Sequence, residues 1–115
     1  MIAVIFEALP NEGKHKDYFD LASQLKPELL EIEGFISIER FQSINDPARL
    51  LSLSFWKDEK SVEQWRKVEL HRHAQKEGRQ FIFKDYRLRV ANVIRDYSMT
   101  NRKQAPTDSN LIHQP

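Results

Sequence analysis

Apolar positions along this chain switch between a two-residue and a three-to-four-residue period. From Ile2 to Leu9 they form a short run rich in Ile, Val and Phe, the mark of a strand buried on much of both faces. Pro10-Asn11-Glu12-Gly13 closes that run with turn chemistry. Between Lys14 and Glu33 the apolar set becomes Tyr18, Leu21, Ala22, Leu25, Leu29 and Ile32, one stripe of a helix. Pro27 sits inside the stripe and predicts a kink or a restart, because proline removes a backbone donor and crowds the preceding turn. Gly34 predicts the stop.

The two-residue period then returns. Phe35 to Ile44 reads as a strand with Phe35, Ser37, Glu39 and Phe41 on one face. Ile36, Ile38, Arg40 and Gln42 lie on the other, a set that turns polar as a strand does on leaving a core. Asn45-Asp46-Pro47 is a turn, and Arg49 to Trp56 is the returning strand of an antiparallel hairpin. Asp58 is a predicted N-cap with Glu59 suited to the first turn of a second helix. Val62, Trp65 and Val68 or Glu69 carry its stripe, a break is expected near Lys67 with the helix resuming through His71, Ala74 and Gln75, and Gly78 ends it. Arg79 to Lys84 is expected as a short turn and Tyr86 to Tyr97 as the last strand. Ser98 to Pro115 is polar and aperiodic.

The order strand, helix, strand, strand, helix, strand predicts an α+β domain of ferredoxin-like βαββαβ type with an antiparallel sheet. Residues 1–98 form the domain and 99–115 a flexible C-terminal tail. Both helices fall on one sheet face. The bare face is expected to carry a mixture such as Arg40, Ser54, Trp56 or Val93, with Trp56 at a dimer seam. A bare face with apolar members calls for cover, so a homodimer through the open sheet face is expected.

Composition narrows the function classes. The chain has 115 residues, one domain's worth, and its 18 basic and 17 acidic residues nearly cancel. That balance exerts no general pull toward nucleic acid or an anionic membrane. The absence of cysteine excludes a disulfide framework, a thiolate zinc site and a Cys nucleophile. Met1 to Glu7 lacks the basic start of a signal peptide, and no stretch approaches the ~20 apolar residues of a membrane span. A cytoplasmic protein is expected.

Few residues carry candidate chemistry. His71 and His73 stand two apart, on different sides of a helix, so they do not make the i, i+4 metal pair, and no metal site is expected. His71 titrates near neutral pH and suits a general base. The alternative is that it caps a helix break or bonds a carboxylate such as Glu69 or Asp85. Trp65 offers a stacking surface and an indole donor, or a core anchor between helix and sheet. Arg87, Arg89 and Arg95 alternate on one strand face, as an anion site or as an ion-pair ladder.

Three segments together resemble the antibiotic biosynthesis monooxygenase family: Leu29 to Ser37, Phe55-Trp56-Lys57-Asp58-Glu59 followed by Trp65, and Glu69 to Gln75 followed by Gly78-Arg79 and Asp85-Tyr86. The resemblance spans residues 1–98 and implies a dimeric α/β barrel with a pocket between sheet and helices. It also implies oxygenation of small aromatic or quinol-type molecules with no cofactor, neither metal nor flavin. Trp65 stands where the family often has a pocket tryptophan. His71 stands where some quinone-forming members place a phenolic tyrosine, and Ser61 replaces their polar amide. Gln75 occupies the place of the haem-degrading branch's axial histidine, so haem degradation is not expected. The resemblance thus points to a cofactor-independent monooxygenase with His71 as base and Trp65, Arg72 and Arg87 binding a small aromatic molecule. The alternative is a non-enzymatic dimer that senses or carries a small apolar metabolite, because no pair of groups here has a spacing that demands chemistry.

Overall fold

The computed structural model describes residues 1–75 and 82–112, the side chains of 70–75 excepted. Its elements are β1 (Ile2–Pro10), α1 (His15–Leu30), β2 (Phe35–Gln42), β3 (Leu50–Trp56), α2 (Glu59–Gln75), β4 (Phe83–Asn92) and a short α3 (Thr107–Ile112). The four strands form one antiparallel sheet in the order β2-β3-β1-β4, the ferredoxin-like arrangement read from the sequence. The thinnest dimension of the chain is 20 Å, that of one sheet plus one helix layer.

Local chemistry sets most boundaries. β4 pairs with β1 as far as Asn92, opposite Ile2, and the Val93 N–H donates to the Met1 carbonyl; the strand ends there, before the expected Tyr97. The pairing of β1 with β4 becomes irregular at Leu9/Pro10, where proline has no N–H to give. α1 runs through Pro27 and closes in tight turns, with the Glu31 and Ile32 N–H groups donating to the Glu28 and Leu29 carbonyls. Gly34 then takes φ +92°, and its carbonyl accepts from the Lys57 N–H, locking the entry of β2 to the end of β3. Asp58 caps α2 as expected: its Oδ1 accepts from the Ser61 N–H at 2.9 Å and the Ser61 hydroxyl at 2.8 Å. α2 passes Lys67 without the expected break, and Lys67 pairs instead with Glu63 one turn back.

The core lies between the helices and one face of the sheet, in two clusters. Ile2, Leu29 and Trp56 anchor the first, joined by Val4, Ile32, Phe35, Ile38, Val62 and Trp65. Tyr18, Leu50 and Ile82 anchor the second, with Phe6, Leu21 and Phe83. His15 ties the start of α1 to the β2–β3 turn through Nε2 and the Ala48 carbonyl, 3.0 Å apart.

The segment after β4 has local order that its sequence did not announce. Arg102 stacks on the Tyr97 ring and donates to Ser98, Ser109 and Asn110, gathering residues 97–110 around one guanidinium.

Candidate functional site

Strand register decides which side chains the helices see. Ile2, Val4, Phe6 and Ala8 of β1 lie opposite Trp56, Ser54, Ser52 and Leu50 of β3. Ile38, Arg40 and Gln42 of β2 lie opposite the same Ser54, Ser52 and Leu50. The helix-facing surface therefore carries two apolar ends and a polar middle made by Ser52, Ser54 and Arg40.

Two expectations are corrected here. Trp56 does not sit on the open face: it is 1% exposed, under the helices, with its ring 5.2 Å from Phe35 and 6.5 Å from Trp65. Ser54 and Arg40 face the helices with it. Leu51, Leu53 and Phe55 point the other way, toward the open face. Alternation along β3, in unbroken register with β1, sets Trp56, Ser54 and Ser52 on this face, and an irregularity in β2 between Phe35 and Ser37 lets Phe35 join them against Trp56.

The two serines of the polar middle are buried and Arg40 is half-buried. Ser54 is 5% exposed and accepts the Trp56 indole N–H at 2.9 Å, which settles that donor inside the core. Ser52 is 8% exposed. The Arg40 guanidinium lies 5.9 Å from the centre of the Tyr18 ring, and its Nε is buried with no hydrogen-bond partner among the described residues. The polar trend along β2 suggested a side chain leaving the core; instead Arg40 ends against a buried α1 residue. Sequence reasoning missed Arg40, Ser52, Ser54 and Tyr18. The only signal was a pair of serines at the i, i+2 positions of an otherwise apolar strand.

Of the residues singled out from sequence, Trp65 is half-buried against Trp56 on the helix side. The side chains of His71 and Arg72 lie outside the described residues. Position 72 of the unbroken α2 falls about 20° from Trp65's line, and position 71 about 120° from it. Arg87 is opposite Glu7 in the register, on the open face, so the sheet separates it from Trp65. It borders a charged cleft of about 280 Å³ formed by Glu7, Leu9, Arg49, Asp85, Tyr86 and Arg87, while Glu7 pairs with Arg89 at 2.9 Å. Two arginines and two carboxylates make that cleft a poor place to desolvate an apolar molecule. The helix-facing strip, with aromatic walls and few polar groups, is the better candidate site. Among the described residues no group of three or more His, Asp or Glu could hold a metal ion, and no helix is long and apolar enough to cross a membrane.

The sheet order β2-β3-β1-β4 with the helices on one face is the ferredoxin-like class of α+β fold. Residues 1–77 match the antibiotic biosynthesis monooxygenase family, and the chain belongs to it. Among characterised sequences it is 42% identical over 107 residues to a jasmonate monooxygenase of Pyricularia oryzae, a match covering 93% of this chain and 50% of that protein. The chain thus spans about half the length of that relative. It is 27% identical over 93 residues to the uncharacterized protein YqjZ of Bacillus subtilis, covering 81% of this chain and 79% of that one. The fold is shared with Rv0793 of Mycobacterium tuberculosis (TM-score 0.70, 15% identity, 84% of this chain and 98% of that one). It is also shared with the haem degrader MhuD of the same organism (TM-score 0.68, 12% identity, 85% and 100%).

Proposed function

We propose that this protein is a monooxygenase that oxidises a small, largely apolar organic molecule held between α2 and the helix-facing surface of β1, β2 and β3. The observation that carries the reading is Trp65, half-buried over Trp56 beside buried Ser52 and Ser54. Such a strip offers a stacking surface and a few hydrogen-bonding groups in apolar surroundings, which orient a substrate and exclude water. Family membership supports the oxygenase assignment.

The chemistry needs no bound cofactor when the substrate has an acidic C–H or O–H. The proposed base is His71, whose position lies a third of a turn round α2 from that of Trp65, and the carbanion left when it takes the proton passes one electron to dioxygen. In the full reaction a CH2 group becomes C=O: one oxygen atom stays in the product, the other leaves as water, and the substrate supplies all four electrons. Trp65 stacks on the substrate, and Arg72, close to Trp65's line on α2, helps to hold developing negative charge. Arg87, across the sheet, serves the open face instead. A second copy of the chain covers that face, where Leu51, Leu53 and Phe55 gather, and makes a homodimer.

The test is oxygen uptake with anthrones, hydroquinones and, because of the relative's activity, jasmonate. Turnover is expected with at least one class, falling at least about tenfold in Trp65→Leu and His71→Ala. Unchanged turnover in both variants contradicts the site. Saturable binding without oxygen uptake favours a sensor or carrier.

A further inference from the structure

We infer that the segment after β4 is an arm that clasps a second copy of this chain, its uncovered apolar side chains lying along the Tyr86, Leu88 and Val90 row of that copy. This rests on the open-face homodimer proposed above and names the part of the chain that holds it closed.

The segment is built, yet its apolar side chains are bare. Its hydrogen bonds close on itself: the Asp96 N–H donates to Gln104 Oε1 at 2.8 Å, the Ser98 N–H to the Asn101 carbonyl and the Asn110 N–H to the Pro106 carbonyl. The Arg102 guanidinium stacks on Tyr97 and donates to Ser98, Ser109 and Asn110. Nevertheless α3 buries none of its residues, and Ile94, Met99, Leu111 and Ile112 are 69–91% exposed. The segment also stands away from the sheet. The radius of gyration is 16.9 Å, against about 13 Å for a compact chain of this length. The longest extent is 54 Å, well beyond the roughly 33 Å of the ten-residue β4. Ordered apolar side chains standing together in water mark an interaction surface.

The matching surface is on the same chain. Tyr86, Leu88 and Val90 lie opposite Ala8, Phe6 and Val4, on the helix-facing side, yet all three are exposed. Alternation puts them in one row, about 13 Å long. β4 is an edge strand, so an arm from a copy seated on the open face has only that edge to pass before it reaches the row. Each copy carries one arm and one row, and a two-fold axis covers both at once on both copies. A foreign partner would have to match two surfaces that this chain matches to each other. The apolar surface so covered is on the order of 1,000 Å² per copy, against about 800 Å² per partner in a stable interface of standard size.

The experiment uses the full chain, whose lack of cysteine lets single thiols be placed where they are wanted. Leu88→Cys and Leu111→Cys proteins are mixed and treated with a short bismaleimide. A covalent dimer joining position 88 of one copy to position 111 of the other is expected, read by peptide mass spectrometry. Equal yield when Lys26→Cys, exposed on α1, replaces Leu88→Cys means random encounter and overturns the clasp. So does a link within one chain of the Leu88→Cys/Leu111→Cys double variant, which would put the arm on its own row. The second reading is sedimentation of Leu111→Asp/Ile112→Asp. Its dimer dissociation constant should rise at least about tenfold with far-UV circular dichroism unchanged. An unchanged constant overturns the clasp and leaves the open-face dimer standing. A wild type that is monomeric at micromolar concentration overturns both.

Discussion

The assignment of Trp56 to the core makes a sharp prediction at its neighbour Ser54. The indole N–H is buried, and the Ser54 hydroxyl 2.9 Å away is its acceptor. Replacing Ser54 by alanine removes that acceptor from a place water does not reach. An unmatched buried donor costs about 1–3 kcal/mol. Trp56→Phe removes the donor and some ring area, and costs about 1–3 kcal/mol through lost packing. In the double variant phenylalanine needs no acceptor, so the second change should add little. The coupling energy between the two sites is therefore expected at about 1–2 kcal/mol. The assay is urea unfolding of wild type, both single variants and the double variant, followed by far-UV circular dichroism. All four must be run at one protein concentration, because self-association would make stability depend on it. Simple additivity, with Ser54→Ala near neutral, would refute a buried indole–hydroxyl pair and return Trp56 to the open face.

Four further outcomes follow from the same geometry. Gly34→Ala should destabilise by more than about 2 kcal/mol, since φ +92° strains any L side chain and the new Cβ would collide with Ser61; a thermal melt reads it. Arg40→Met should raise the melting temperature by removing a buried Nε that has no acceptor among the described residues, and a lower value would mean that the rest of the guanidinium has a protein partner. The Ser61 N–H and hydroxyl on Asp58 hold its carboxyl below its ordinary value of 3.8, aided by Lys57 and Lys60 and opposed by desolvation. Its capping contribution is therefore complete above that value and lost as pH falls through the lower folded one, so wild type should lose more stability between pH 6 and pH 3 than Asp58→Asn, and parallel losses would contradict the cap's charge. Leu53→Arg, on the open face, should give monomers by sedimentation at micromolar concentration, and a persisting dimer would place the interface elsewhere.

The element order was legible because each segment keeps one period long enough to declare itself. The Leu25 and Leu29 stripe of α1 and the Asp58 cap of α2 are local chemistry and appear in the structure as read. The faces of β3 were not legible. Its odd positions, Leu51, Leu53 and Phe55, are as apolar as a core, so alternation shows two faces without naming the inner one. Tertiary fit decides that, through the packing of Trp56 and its register neighbour Ile2 under Leu29. The same step hid Arg40, because a strand that turns polar toward its end usually does so in water. Arg87 was grouped with Trp65 on chemical type alone, and only the pairing with Glu7 shows that the sheet stands between them. The break expected near Lys67 does not occur, and Lys67 pairs with Glu63 across one helical turn on the solvent side.

Where a bound ligand lies decides the account. A crystal structure of the protein with jasmonate or an anthrone should show the molecule against Trp65 and the Ser52–Ser54 strip, beneath α2. Density in the charged cleft beside Glu7 and Arg87, with the helix-facing strip closed by packed side chains, would contradict it.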